Sequence, residues 1–396
     1  MLAQRTDLLK SSGIAAAMAA AEAATASGHK VIDLTIGEIW SDLVPSVRDG
    51  AIVAVSRNVN RYTESIGLMD LRHALASKLS AETAQPWSVD EVAVTNGAKQ
   101  ALFNTMLAIL NPGDEVLIPA PYWRTFPDQT ILAGGTPVFV ETRHNDFVPR
   151  LTDLEAAVTS KTKAIVVNTP NNPTGAIYNR DILAAIGQLA VDRDFWIVFD
   201  ECYGAFAHAP HIHHPMISVA PHARNRILIV NSFSKSLALT GWRIGYLAGP
   251  KAVISAVKEL QSLSTSNPNV IAQHAVLHHL KFGDHAFELA LQRKVASARS
   301  LGLSILSALR EVPLPKAQGG IFFYLDLGRL QQRARANRRE FIGDDVAHAL
   351  LMEAGVATVP GTAFGDPTGI RVSYGVELEL LDRGLQRLTE TLNRWG

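Results

Sequence analysis

Short apolar runs of four to six residues recur through the middle of the chain, separated by longer stretches with helical character. "EVAVT" (Glu91–Thr95), "EVLIP", "TPVFVET", "KAIVVNTP", "FWIVFDE", "RILIVNSFSK" and "IGYLAGP" are such runs, and "AKQALFNTMLAIL", "LTDLEAAVT" and "RDILAAIGQLAVDRD" lie among them. Runs that are apolar throughout, rather than alternating, read as strands buried on both faces. Strand and helix in alternation predict βαβ units: an α/β fold with a mostly parallel central sheet sandwiched by helices. Beyond "AFELALQRKVASARSLGLSILSALRE" the pattern changes. "GGIFFYLDL", a helix near "FIGDDVAHALLMEAG", "VATVPGTAFG" and "GIRVSYG" predict a smaller α+β unit. The expected division is a large domain over residues 46–290 and a small domain built from 1–45 together with 291–396. The alanine-rich "SSGIAAAMAAAEAATASG" predicts a helix stopped by Gly28, since Glu22 and weak hydrophobicity argue against a signal peptide.

In open parallel sheets ligands bind beyond the C-terminal strand ends, so the residues there carry the functional reading. After "EVAVT" come Asn96-Gly97-Ala98-Lys99, opening a helix where small residues let backbone N–H groups approach an anion. After "AIVVN" comes a turn that exposes Asn172. After "WIVF" comes Asp200, with Tyr203 three residues on, and after "ILIVN" come Ser232, Ser234 and Lys235. A phosphate cradle, an amide, a carboxylate with a phenol, and a lysine with hydroxyls suit one ligand, pyridoxal 5'-phosphate. Its aldehyde takes a lysine amine, its ring nitrogen a carboxylate, its ring oxygen an amide and a phenol. Trp123 in "APYWRTF" can stack on the ring, and Arg243 can fork the phosphate. Taken singly these residues have blander readings. Lys235 is by default a solvated lysine, Asp200 a helix cap, Asn172 a turn residue, Arg371 an ion-pair partner and Trp123 core. Only the joint pattern outweighs them.

In this order "TNGAKQALFN", "LNPGDEV", "PAPYW", "NTPNNPTG", "FDECYG", "SFSKSLALTGWRIGY", "GVATVPGTAFG" and "GIRVSYG" resemble the class I/II aminotransferases of the fold type I pyridoxal-phosphate enzymes, nearly end to end. Within that family the chain is most similar to the bacterial aspartate/prephenate branch. The resemblance implies that Lys235 bonds covalently to the cofactor aldehyde and then carries a proton between substrate Cα and cofactor C4'. It implies that Asp200 pairs with the ring nitrogen, that Asn172 and Tyr203 contact the ring oxygen, and that Trp123 stacks. The backbone of Gly97, Ala98 and Lys99 would receive the phosphate with Ser232, Ser234 and Arg243. Tyr62 would reach the phosphate of a neighbouring subunit in a homodimer with shared sites. Arg371 would clamp the substrate α-carboxylate, helped by Asn172 and the Gly37 backbone. Lys99 and Arg5 would meet a distal carboxylate, favouring aspartate or glutamate as substrate.

Two departures bear on specificity. Relatives carry Gly-Glu-Pro-Asp-Phe where this chain reads "IGEIWSDLVP", so Ile39 and Trp40 are expected to alter the loop covering the substrate. Ile14 replaces a hydroxyl residue and makes the N-terminal lid more apolar. An altered lid can turn the scaffold to β-elimination, decarboxylation or oxidation, so another pyridoxal-phosphate enzyme stands as the alternative. A cofactor-binding regulator would need a DNA-binding module, which residues 1–45 have neither the length nor the charge to supply. A nicotinamide dehydrogenase would need GxGxxG after a strand, which is missing. Lys+Arg and Asp+Glu both number 37, which leaves no electrostatic footprint for nucleic acid or an anionic membrane, and no apolar run is long enough to span a bilayer. One cysteine, Cys202, points to a reducing, cytoplasmic setting and is expected to be a small buried side chain. His208, His211, His213 and His214 in "HAPHIHHP" lack a metal-site spacing and are expected to form a surface loop near the site entrance.

Overall fold

The computed structural model describes Leu2, Thr6 and residues 13–336 and 343–395. Among these residues the strands run, in chain order, β1 (Ile32–Asp33), β2 (Val92–Thr95), β3 (Glu115–Ala120), β4 (Thr136–Glu141), β5 (Thr162–Asn168) and β6 (Trp196–Asp200). They continue with β7 (Ile227–Ser232), β8 (Gly245–Ala248), β9 (Phe322–Asp326), β10 (Val356–Ala357), β11 (Val359–Pro360) and β12 (Gly369–Ser373). Seven of them form one sheet in the order β2-β8-β7-β6-β5-β3-β4. All neighbours in it are parallel except β8, which is antiparallel to both β7 and β2. The reason is the connection. Residues 233–244 hold only two single turns, too little for the crossover helix that a parallel return requires. The chain instead turns back on itself, and Ser232 pairs with Gly245. That reversal puts Lys235 and Arg243, at the two ends of the turn, beside one sheet edge.

Strands β2, β3, β5, β6 and β7 are buried almost throughout, as their unbroken apolar runs predict. β4, at one edge of the sheet, departs from that reading: Thr136, Phe139 and Glu141 are exposed. Phe139 covers part of its own face by stacking on Tyr122 at 4.7 Å. Two apolar clusters pack around this sheet, one containing Val94, Leu117 and Phe199, the other Ile118, Val166 and Leu228. Successive residues of one strand fall in different clusters, which is the period of two expected of a sheet with both faces covered. The flanking helices are capped by their sequences. Asn179 accepts from the Ile182 N–H at 3.0 Å and Asn269 from the Ala272 N–H at 2.9 Å.

The helix Ala286–Leu306 leads away from this sheet to a second core built around Phe322, Phe323 and Leu385. There β11-β12-β9 form an antiparallel sheet, and β1 pairs in parallel with β10. Gly302 allows the long helix to lie on β9: a Cβ there would fall 2.4 Å from the Phe323 ring. The helix predicted near the N-terminus spans Gly13–Ala26, and the chain turns at Gly28 with φ +89°.

Candidate active site

β2 runs antiparallel to β8, which runs antiparallel to β7, so β2, β7, β6 and β5 all end at the same edge. A cavity of about 550 Å³ opens there, lined by Ala98, Lys99, Trp123, Asn172, Asp200, Tyr203, Ser232, Ser234, Lys235, Arg243 and Arg371, together with Gly37.

One end is built for an anion. After β2 the backbone turns at Gly97 with φ +77°, and the helix Ala98–Ile109 starts there, its first residues Ala98 and Lys99 lining the cavity at the end where a helix favours an anion. A Cβ on Gly97 would sit 2.7 Å from Nη2 of Arg243. The Arg243 fork donates to the Thr240 carbonyl at 2.9 Å and to the Asn96 carbonyl at 3.3 Å, which fixes it over that turn. Ser232 and Ser234 are buried beside it.

The other end holds Asp200, at the last position of β6 and 3% exposed. Burial pushes its carboxyl up to about 6, partly offset by the Cys202 N–H, which donates to Oδ1 at 3.1 Å. A carboxylate that desolvation makes reluctant to ionise is a ready partner for a cationic ring nitrogen. Between the ends lies Lys235. Its Nζ donates to the Gly37 carbonyl at 2.5 Å and lies 5.9 Å from the Tyr203 ring centre. Burial lowers its ammonium from 10.5 to about 8; Cys202 and Glu38 oppose the shift, and Arg371 and Arg243 add to it. Burial also raises the Tyr203 phenol well above its ordinary value.

Arg371 stands on β12, the central strand of the small antiparallel sheet, and is 1% exposed. Nη1 donates to Oδ1 of Asn172 at 3.1 Å and Nη2 to the Thr35 carbonyl at 2.7 Å. The guanidinium lies between the rings of Phe322 (4.2 Å) and Phe364 (4.9 Å), and its Nε has no partner. Burial lowers its pKa to about 10. A buried cation that meets only neutral acceptors is poorly compensated, and an incoming carboxylate supplies what is missing.

Trp123 forms a side wall and meets Phe126 edge-on at 5.6 Å. Lys99 lies over the Trp123 ring at 5.1 Å, and its ammonium pKa is lowered, by burial first and then by Arg243. Tyr62 is 87% exposed and does not line this cavity. Arg5 lies outside the described residues.

The chain matches the family profile described as Aminotransferase class I and II over residues 29–388. It belongs to that family. It is 38% identical over 397 residues to the aspartate/prephenate aminotransferase of Thermus thermophilus, covering 99% of each chain. It is 37% identical over 391 residues to the aspartate aminotransferase of Geobacillus stearothermophilus, covering 98% of each. Among solved structures it superposes on a Thermus thermophilus aspartate aminotransferase with maleate at a TM-score of 0.91, with 37% identity over 98% of this chain and 99% of that one. The aspartate aminotransferase of Rhizobium meliloti gives a TM-score of 0.93 at 32% identity, over 100% and 99% of the two chains.

Aminotransferases of this kind use pyridoxal 5'-phosphate. The residues fit that group on the structure's own terms. The Gly97 turn is a cradle that a single methyl would fill, and the buried acid and the amine with its lowered pKa lie in the same cavity.

Some features of the site differ from the sequence expectations. Ile39 and Trp40 do not cover the cavity. Ile39 is buried in the second core, while Trp40 is 61% exposed and held through its backbone by Gly375 and Lys294. Their neighbour Glu38 lines the cavity instead. Cys202 is not simply a core residue: it too lines the cavity, with the Ser232 hydroxyl 3.7 Å from its sulfur. The histidine segment is not merely a surface loop. His208 is buried against the Gly320 carbonyl and the Tyr374 hydroxyl, its pKa pushed down to about 4 by burial, and His213 pairs with Glu201 at 3.0 Å. Sequence reasoning passed over Asn168, whose amide joins two strand ends by donating to the Asp200 carbonyl (3.2 Å) and accepting from the Asn172 N–H (2.8 Å). Its place as the last residue of β5 was the available signal. Phe322, under Arg371, carried none.

Proposed function

We propose that this aminotransferase moves the amino group of an L-amino acid, with dicarboxylic acids such as aspartate or glutamate favoured, to a 2-oxo acid in two half-reactions. The observation that carries the reading is the buried Lys235 amine, its pKa lowered to about 8, standing between an anion cradle and a buried acid within the same cavity as an Arg371 that meets only neutral acceptors. Pyridoxal phosphate, when bound, supplies an electron-accepting ring that stabilises negative charge at the substrate Cα. The chain does the rest. Asp200 keeps the ring nitrogen protonated, and Asn172 and Tyr203 bond the ring oxygen. Gly97, Ala98 and Lys99 hold the phosphate through their backbone, with Ser232, Ser234 and Arg243. Trp123 covers one ring face. Arg371 grips the α-carboxylate, oriented by Asn172 and assisted by the Gly37 backbone. Lys235, with a pKa near working pH, would take the proton from substrate Cα and deliver it to cofactor C4'. Ile14 and Met18, from the helix Gly13–Ala26, line the cavity and exclude water.

Lys99, and Arg5 outside the described residues, would receive the distal carboxylate. The aspartate aminotransferase relatives, one of them with maleate, support that preference. The split into a large part, residues 46–290, and a small part, 1–45 with 291–396, belongs to the same proposal, as does a cytoplasmic homodimer in which Tyr62 reaches the partner's phosphate. Its single cysteine suits a reducing compartment, and Ile52, Val53 and Val55 expose apolar side chains on the helix Pro45–Ser56 shortly before Tyr62.

The test is a half-reaction. Holoenzyme mixed with excess aspartate should release one equivalent of oxaloacetate per site and convert the cofactor to its amine form, and 2-oxoglutarate should reverse the change. Release of ammonia or carbon dioxide without that conversion would overturn the proposal.

A further inference from the structure

Arg143 opens the single turn Arg143–Asn145 that follows β4, at the edge of the seven-stranded sheet. Its guanidinium bridges two carboxylates of the other sheet. Nη1 pairs with Oδ1 of Asp326, at the end of β9, at 2.6 Å, and Nη2 pairs with Oδ2 of Asp366, in the loop before β12. Both acids are fixed in turn. The Tyr324 hydroxyl donates to Asp366 Oδ2 at 2.7 Å; the Thr368 N–H and hydroxyl donate to Asp366 Oδ1 at 3.0 and 2.7 Å; and the Gly328 N–H donates to Asp326 Oδ1 at 2.9 Å. Tyr324 is the residue on β9 directly opposite Arg371 on β12.

The side of the clamp facing the large sheet is equally tied. Next to Arg143, Thr142 donates its hydroxyl to the Ala120 carbonyl at 2.7 Å, where β3 gives way to the segment carrying Trp123. In that segment the Tyr122 N–H donates to the Phe364 carbonyl at 3.1 Å, and the Phe364 ring lies under Arg371. Two consecutive residues therefore hold the Trp123 wall and the strand bearing Arg371 at a fixed separation.

We propose that Arg143 is a positioning residue for substrate binding: by clamping Asp326 and Asp366 it sets the distance between the Arg371 fork and the Trp123 wall. This rests on the reading of Arg371 as the carboxylate site. A misplacement of about 1 Å in such a fork is costly to binding and turnover, whereas a purely structural loss of this largely buried ion network lowers the stability of the fold without singling out dicarboxylate binding. The two roles therefore separate in measurement.

The experiment uses holoenzyme and succinate, an unreactive dicarboxylate, read through the change in cofactor absorbance. Arg143→Ala should raise the succinate dissociation constant and the KM for aspartate by about fivefold or more, with cofactor affinity within about twofold of the parent. Arg143→Lys, which keeps the charge but not the fork, should recover part of the loss. Asp326→Asn, which leaves the Tyr324–Asp366 contact in place, should give a smaller loss of the same kind. Succinate binding and KM unchanged in Arg143→Ala would overturn the proposal. So would a fall in cofactor affinity by the same factor with no recovery by lysine, the mark of a purely structural role. Arg371→Ala, measured alongside, isolates the premise: if it binds succinate as the parent does, the carboxylate assignment itself fails, whereas loss there with a normal Arg143→Ala sinks only the clamp.

Discussion

At the scale of single residues, desolvation sets the chemistry. Lys235 is taken out of water, and the pull of Cys202 and Glu38 only partly offsets that cost, so its ammonium pKa falls from 10.5 to about 8. In cofactor-free protein the amine is therefore mostly neutral above about pH 8, where an ordinary lysine is still charged. Competitive acetylation, quantified on the Lys235 peptide, should rise with pH through a midpoint near 8; a midpoint above about 10 would mean that burial does not act on this amine. Arg371 bears the same cost of burial on a group that stays charged at working pH, which is why the proposal gives it the substrate carboxylate. Lys99 is a different case, because its ammonium rests on an indole face within reach of the cavity. Lys99→Ala should raise KM for aspartate by about tenfold while leaving KM for a neutral amino acid within about twofold, since only the former loses a charge-assisted bond. Equal effects on both substrates would remove Lys99 from specificity.

At the scale of elements, the strand ends do the positioning, and that is also why they could be read in advance. Asp200, Lys235 and the Gly97 turn each follow a run of apolar residues that only a buried strand explains, so their location follows from the parallel-sheet rule. Arg371 has no such signal. β12 is buried at every position and its neighbours do not alternate, so nothing but the resemblance of "GIRVSYG" marked that charge. Glu38, Cys202 and Phe322 were missed for a related reason: cavity walls join residues far apart in sequence, and periodicity reports only which face is buried. The small sheet was legible as a change of pattern, but β10 and β11 are two residues each, too short for any period to appear. The Gly97 turn gives this scale its own prediction. Alanine there meets both a φ of +77° and a guanidinium nitrogen 2.7 Å away. Gly97→Ala should weaken cofactor binding by roughly tenfold or more, measured by titration of the cofactor-free protein, because Arg243 must leave the cradle to admit the methyl. An unchanged affinity would show that the turn does not shape the phosphate end.

At the scale of the whole molecule, one cavity draws on both cores. The ends of β2, β5, β6 and β7 carry the cradle, the Asn172 amide, the acid and the amine, and β12 carries the fork, so any shift of one sheet against the other would reshape the cavity directly. Tyr62 is 87% exposed, although the chain around it resembles a phosphate-contacting segment, and the proposed sharing of sites between subunits would account for both. The helix Pro45–Ser56, just before Tyr62, packs closely on the helix Val270–Phe282; a Cβ on Gly50 would fall 2.5 Å from that of His278. This rigid pair carries Ile52, Val55 and Phe282 outward, which is the kind of surface a second subunit covers. Sharing of sites can be tested by complementation. Tyr62→Ala and Lys235→Ala subunits should each be nearly inactive alone, the first from weakened cofactor binding at limiting cofactor, the second from loss of the proton-carrying amine. After co-refolding, half of the dimers are mixed, and in each of these one site combines an intact Lys235 with the partner's intact tyrosine. About a quarter of the parental activity should therefore return. If the mixture is no more active than the sum of its parents, Tyr62 serves its own subunit or none, and the shared-site arrangement is wrong.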